Sequence, residues 1–155
     1  MHVRPYRPED FASLYVIEEA CFEPPLRFSR RYIRQLVANP QSATWVAEYD
    51  GQLAGFLIVD WAAFQGSMLA YIQTIEVAPE FRRRGIALQL LRHAQYSAAQ
   101  ARATHIWLHV VEDNHSAIRL YESEGFRRTG VQQDYYGPGI VAAIYSKPIP
   151  PVDAA

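Results

Sequence analysis

The sequence predicts an α/β domain, a mixed sheet with helices packed on both of its faces. Three observations carry that prediction. Strand-like and helix-like segments follow the order β-α-α-β-β-β-α-β-α-β-β along the 155 residues. Asp50-Gly51 separates two strand-like runs, the signal of a tight hairpin. His105 to Val111 is apolar on both faces, as a central strand with a parallel neighbour has to be.

Taken in order, Val3 to Tyr6 makes a short first strand. Pro8-Glu9-Asp10 then opens a helix, because proline suits a first turn and acids complement the helix dipole. Phe11, Leu14, Tyr15 and Glu18 recur at helical spacing, and Pro24-Pro25 ends the run. A second short helix covers Ser29 to Val37 and stops before Asn39-Pro40. Thr44 to Tyr49 and Gln52 to Trp61 are the hairpin strands, and Met68 to Val77 is a third long strand. Gly85 to about Arg102 is helical, with Ile86, Leu90, Leu91 and Ala94 on one side. After the His105 to Val111 strand, Ser116 to Glu124 forms the last helix, and Gly125 is placed to cap its C-terminus. Two final strands, Arg127 to Tyr136 and Ile140 to Lys147, bracket Gly137-Pro138-Gly139. One domain therefore spans residues 1–148, and the proline-rich residues 149–155 read as a flexible tail.

Composition narrows the function. Half the residues are hydrophobic and 20% are charged, which suits a globular domain with a real core. A net charge of -1 gives no reason to expect nucleic acid or an anionic membrane as partner. Cys21 is the only cysteine, so neither an internal disulfide nor a cysteine-rich zinc site is expected. His105, His109, Asp113 and His115 lie close in sequence but match no metal-ligand spacing, and no metal is expected. Met1-His2-Val3-Arg4-Pro5 lacks the apolar core of a signal peptide, and no run reaches the length of a membrane span. A cytoplasmic protein, monomer or homodimer, is the expectation.

The segment from Ile75 to Leu88 carries the most chemistry. A strand runs through Ile75, Glu76 and Val77 into a short loop, and then Arg82, Arg83, Arg84 and Gly85 open a helix. The first turn of a helix has N–H groups without intrahelical partners, and the dipole adds partial positive charge there. A glycine at that point lets backbone approach an anion closely, an arrangement suited to pyrophosphate. The loop is neither a Walker loop, since Gly-Lys-Ser/Thr is absent, nor a dinucleotide fingerprint, since the glycine triplet is missing.

Arg82-x-x-Gly85-x-Ala87 resembles the acetyl-coenzyme A loop of the GCN5-related N-acetyltransferases (GNAT), written Q/R-x-x-G-x-G/A. A second segment, Asn114, Ala117-Ile118, Leu120-Tyr121-Glu122 and Gly125-Phe126, resembles that family's N-x-x-A-x-x-x-Y-x-x-x-G-F. The resemblance implies a mostly antiparallel sheet with one parallel pair at the acetyl-coenzyme A site. It implies acetyl transfer to a primary amine by direct attack. The coenzyme would be held by Ile75, Glu76 and Val77, by Arg82, Arg83, Arg84, Gly85, Ile86, Ala87 and Leu88, and by Asn114 and Tyr121.

Such a transfer needs a held thioester, a donor for developing negative charge, a base for the ammonium and an acid for the thiolate. Tyr121 matches the family tyrosine near the coenzyme sulfur, as general acid or positioning group; it also reads as a core aromatic of an amphipathic helix. Asn114 fits both a helix N-cap and a contact to the pantetheine arm. His109 stands mid-strand where bacterial acetyltransferases of ribosomal proteins often carry glutamate, and resembles some eukaryotic N-terminal acetyltransferase subunits in this. Those subunits pair the histidine with a tyrosine on the preceding strand, matched here by Tyr71 in Tyr71-Ile72-Gln73-Thr74. A peptide α-amine has a pKa of about 8 and an imidazole about 6.5, so a water held between Tyr71 and His109 would relay the proton near neutrality. A packed core histidine and an ordinary strand aromatic are the plain alternatives for this pair.

The acceptor is written in loops. Tyr135-Tyr136 resembles the tyrosine pair with which N-terminal acetyltransferases hold a peptide, although hairpin packing also favours such tyrosines. Phe22, in the aromatic and proline-rich run to Phe28, would form the other wall. Val141-Ala142-Ala143 replaces an Asp-Ala pair common in bacterial homologues, which argues against a bacterial ribosomal-protein substrate. A protein or peptide N-terminus is the expected acceptor. A small amine or aminoglycoside, and a noncatalytic acetyl-coenzyme A sensor, are the alternatives. Covalent catalysis through Cys21 is disfavoured, because it lies far in sequence from the motifs.

Overall fold

Asp50 (φ 54°) and Gly51 (φ 76°) reverse the chain in two residues, and Gln65 (φ 48°) and Gly66 (φ 82°) do the same further on. Two successive positive φ angles match the right-handed twist of the strands they join, which is why such turns close hairpins. The computed structural model describes residues 1–151. Its strands are β1 (His2–Pro5), β2 (Ser42–Tyr49), β3 (Gln52–Phe64), β4 (Ser67–Val77), β5 (His105–Val111), β6 (Arg127–Gln132) and β7 (Ala142–Pro148). Its helices are α1 (Phe11–Cys21), α2 (Arg30–Ala38), α3 (Ile86–Gln100) and α4 (His115–Ser123), with 3-10 turns at Pro8–Asp10 and Pro79–Phe81. The element order is the one the sequence predicts.

The strands form one sheet in the order β1-β2-β3-β4-β5-β7-β6, in which only β4 and β5 run parallel. Gly55 is where α3 comes closest: an added Cβ would stand 2.6 Å from the Glu76 carbonyl and 3.4 Å from Ile86 and Leu90 side chains. The next residue, Phe56, pairs with Glu76 and faces the opposite side, towards α1. Trp45 Nε1–H donates to Ser97 Oγ at 2.9 Å and ties β2 to α3. Leu14, Ile33, Phe56, Ile58, Leu90, Leu91, Ile106 and Leu108 fill the core on the two faces. Arg4 bridges Asp10 at 2.8 Å and Glu48 at 2.7 Å, fixing β1 to the first turn and to β2.

One irregularity shapes the rest of the molecule. In the β3–β4 ladder Ile58 pairs with Thr74 and Val59 with Ile72, so Gln73 is an extra residue. A bulge bends its strand and shifts the alternation of side chains beyond it. Thr74 and Glu76 consequently face α1. The parallel ladder runs from Leu69↔His105 to Ile72↔Leu108 and stops at the bulge. Past that point β4 and β5 diverge, and a cleft opens between their inner edges.

Three sequence expectations need correction. The hairpin strands run beyond Trp61 and begin before Met68, because the Gln65-Gly66 turn lets the ladder reach Phe64↔Ser67. β6 ends at Gln132, not Tyr136: Asp134 takes φ 58° and its Oδ1 accepts from Gly139 N–H at 2.7 Å, so residues 133–141 fold as a loop. The tail does not start at 149, since Ile149 is 9% exposed and its N–H donates to the Thr104 carbonyl at 2.8 Å. Residues 152–155 of that expected tail lie outside the described residues. No described helix is long and apolar enough to cross a membrane.

Candidate active site

The cleft where β4 and β5 part is a cavity of about 610 Å³. Ile72 to Val77 and Leu108 to Val111 form its long walls, with Asn114, Ala117, Leu120 and Tyr121 from the α4 segment between them. Arg82, Arg83 and Gly85 to Leu88 close one end, with Cys21 against Arg82; Phe22, Leu26, Phe28 and Tyr136 complete the lining. Of the residues predicted for the coenzyme, all but Arg84 line this one cavity.

The basic end is built on α3, a helix long enough for its aligned peptides to matter. Gly85 is its N-cap at φ 77° and offers no side chain, so the first-turn N–H groups are left for a ligand. A Cβ on Gly85 would meet nothing within 4 Å, so glycine is required here by the backbone angle rather than by crowding. Arg83 also takes a positive φ, 65°. Arg82 braces the loop from beneath: its Nε–H donates to the Val77 carbonyl at 3.2 Å and its Nη2 lies 3.6 Å from Cys21 Sγ. Arg84 departs from expectation. Its guanidinium sits over the rings of Tyr49 (4.8 Å) and Phe81 (5.6 Å), a cation–π seat that turns the side chain away from the cleft. Ile86 is 1% exposed, so its side chain belongs to the core. This set of open helix donors, arginine and parted strand edges fits the pyrophosphate and extended arm of acetyl-coenzyme A.

β4, β5, the end of β6 and the loop after it assemble a hydrogen-bonded aromatic group, of which His109 and Tyr136 line the cavity and Tyr71, Gln132 and Tyr135 lie behind them. Tyr71 Oη lies 2.7 Å from His109 Nδ1 and 3.0 Å from Tyr135 Oη. His109 Nε2 lies 2.9 Å from Gln132 Oε1. An amide oxygen only accepts, so Nε2 carries the hydrogen and Nδ1 is left to accept from Tyr71. The expected water between Tyr71 and His109 is replaced by this direct bond. Tyr135 stacks on the imidazole with ring centres 3.7 Å apart and planes 8° from parallel. Trp107 borders both Tyr71 and His109, and Tyr136 Oη–H donates to the His109 carbonyl at 3.0 Å. Burial holds the His109 imidazole below its ordinary pKa, partly offset by the bond to Gln132. Burial also pushes Tyr71 well above an ordinary phenol, and Tyr135 adds to this. Gln132 was not legible in the sequence: nothing in Arg127–Gln132 marks one polar strand residue above another.

Tyr121 is 4% exposed, packs near Phe126, and lines the cavity. Its burial raises the phenol pKa, so the hydroxyl stays protonated. Asn114 caps α4, its Oδ1 accepting from Ala117 N–H at 3.3 Å, and also reaches the cavity wall. Cys21 donates its S–H to the Val77 carbonyl at 3.4 Å, and burial raises its pKa, the reverse of what a nucleophilic thiol needs. Among the described residues no three of His, Cys, Asp and Glu converge as a metal site.

Comparison with known proteins agrees with this geometry. The acetyltransferase (GNAT) family matches residues 11–126. A putative [ribosomal protein bS18]-alanine N-acetyltransferase of Bacillus subtilis (strain 168) is 32% identical over 134 residues, 86% of this chain and 85% of that protein. Streptothricin acetyltransferase of Streptomyces lavendulae is 39% identical over 99 residues, 63% of this chain, and the match spans only 51% of that longer protein. The structure of Arabidopsis thaliana NAA60 in complex with a bisubstrate analogue superimposes with a TM-score of 0.82 at 25% identity, covering 97% of this chain and 99% of that one. The chain belongs to the acetyltransferase (GNAT) family and is an acetyl-coenzyme A-dependent N-acetyltransferase.

Proposed function

We propose that the acceptor is the N-terminal α-amine of a protein or peptide. The observation that carries this reading is the Tyr71–His109–Gln132 chain of contacts beside an acceptor end walled by Phe22, Phe28 and Tyr136. A narrow wall of aromatic side chains admits a chain end more readily than a side chain borne on continuous backbone. The Bacillus relative, named as a putative [ribosomal protein bS18]-alanine N-acetyltransferase, and the NAA60 complex with a bisubstrate analogue support it.

When bound, acetyl-coenzyme A supplies the thioester carbonyl that the amine attacks. The protein's residues handle the protons. Tyr71 Oη–H donates to His109 Nδ1 and its oxygen accepts from Tyr135 Oη–H, which leaves one lone pair to accept an N–H from the incoming amine. As that proton reaches Tyr71, the Tyr71 proton passes to Nδ1, and Gln132 Oε1 steadies the resulting imidazolium through Nε2–H. Tyr121, kept protonated by burial, donates to the departing sulfur. Direct transfer needs no covalent enzyme intermediate.

A second reading has its own support: the identity to streptothricin acetyltransferase favours a small amine as acceptor. Coenzyme A release, measured over a panel of free peptides and small polyamines, separates the two. Turnover on peptides alone supports the proposal; turnover on polyamines alone favours the second reading. Tight acetyl-coenzyme A binding with no turnover on either would point to a sensor. A cytoplasmic location belongs to the same proposal, since the Bacillus relative is named for a ribosomal protein.

A further inference from the structure

Two carboxyl groups lie buried against each other between α1 and β4. Glu18 is 0% and Glu76 3% exposed. Glu76 Oε2 accepts from Thr74 Oγ1–H at 2.6 Å, and Glu18 Oε2 accepts from Phe28 N–H at 3.1 Å. The remaining oxygen of each, Glu18 Oε1 and Glu76 Oε1, is buried with no hydrogen-bond partner on elements that pack against each other, and Glu18 is one of the causes that raise the Glu76 pKa. Among the described residues neither joins a salt bridge.

Two ionised carboxylates this deeply buried without a cation are strongly disfavoured, because repulsion adds to the loss of hydration. One proton between them turns the repulsion into a charge-assisted O–H···O bond and satisfies both orphan oxygens. We infer that Glu18 and Glu76 share a single proton, and that this bond positions the acceptor loop on the coenzyme strand. The loop is held at one residue through both of its backbone groups: Tyr15 Oη–H donates to the Phe28 carbonyl at 2.8 Å while Glu18 accepts the Phe28 N–H. Tyr15 and Glu18 are one turn apart on α1, and Glu18 carries the clamp across to Glu76 on β4.

The surroundings leave the pair its own titration. On α1, Cys21 is a neutral thiol, raised in part by Glu76. On the coenzyme loop, Arg82 reaches only Cys21 and the Val77 carbonyl. On β3, Phe56 and Ile58 stand opposite Glu76 and Thr74 and are apolar. From the acceptor loop the Phe28 N–H meets Glu18. Burial first and Glu18 second hold the Glu76 carboxyl well above the usual range, the direction a shared proton requires. Once that proton is lost both groups are charged, repel, and loosen the clamp. Both are positioning residues. That the loop is an acceptor wall rests on the proposed function; the shared proton does not.

Infrared spectroscopy with labelled glutamate tests the proton, and amide exchange at Phe28 tests the clamp; neither needs an acceptor. The wild-type protein at neutral pH should show the C=O stretch of a protonated carboxyl that vanishes in Glu76→Gln, whose amide supplies the donor permanently. Glu18→Gln is the second variant and should remove the same band, its amide donating to an ionised Glu76. As pH rises and the band is lost, Phe28 exchange in the wild type should accelerate about tenfold relative to Glu76→Gln. Absence of a protonated band at neutral pH, or its persistence in both variants, overturns the shared proton. A band that titrates while Phe28 exchange keeps pace with Glu76→Gln overturns the positioning role. Failure of every peptide as acceptor would instead defeat the proposed function and leave these results standing.

Discussion

Tyr71 Oη and His109 Nδ1, on neighbouring parallel strands, lie 2.7 Å apart at the point where those strands separate. The bulge at Gln73 ends the β4–β5 ladder immediately after Tyr71 and Ile72. The same irregularity therefore opens the coenzyme cleft and leaves this pair at its fork.

His109→Ala should lower kcat/KM by about a hundredfold or more, the usual scale for a general base. The pH profile carries the sign. Burial lowers the His109 pKa, so the neutral imidazole persists below its ordinary value and the acid limb should fall below about pH 6.5. Steady-state rates from pH 5 to 9 check this, and an acid limb that survives in His109→Ala assigns the base elsewhere.

Gln132→Leu should reduce kcat by about tenfold while sparing coenzyme affinity, because only the imidazole loses its orienting partner. The Gln132 contact raises the His109 pKa, so removing it should move the acid limb to still lower pH. An unshifted limb with unchanged kcat would show that the contact orients nothing.

How much of this was legible beforehand depends on how local the signal is. Asp50-Gly51 and Arg82 to Gly85 announce their turn and helix start through residues next to one another. The Gln73 bulge leaves no such trace, since alternation reads normally on either side of it. Gln132 meets His109, and Glu18 meets the Phe28 N–H, across gaps that only tertiary packing closes. Arg84 was misread because three adjacent arginines look equivalent until Tyr49, on another strand, takes one of them.

The coenzyme loop can be tested by contrast among those residues. Gly85→Val should weaken coenzyme A binding at least tenfold, since a β-branched residue resists φ 77° and its side chain fills the space above the helix start. Arg83→Glu should weaken it as well. Arg84→Glu should do much less, because that guanidinium is seated on Tyr49 and Phe81. Calorimetry on the three folded variants decides, and equal losses for Arg83→Glu and Arg84→Glu would refute the assignment.

Tyr121→Phe should lower kcat more than it changes coenzyme affinity, since a leaving-group acid acts in the transition state. The buried phenol stays protonated, so no alkaline limb from Tyr121 is expected in the working range. Single-turnover rates equal to wild type would make Tyr121 a packing residue.

The central claim is that the acceptor is a chain end. Its most direct measurement is mass spectrometry of two peptides incubated together with the enzyme and acetyl-coenzyme A. One peptide has a free α-amine and no lysine; the other is blocked at its N-terminus and carries an internal lysine. The geometry of the Tyr71–His109 pair and the aromatic acceptor wall predicts acetylation of the free α-amine with little or none on the lysine. Preferential acetylation of the lysine would contradict the N-terminal reading.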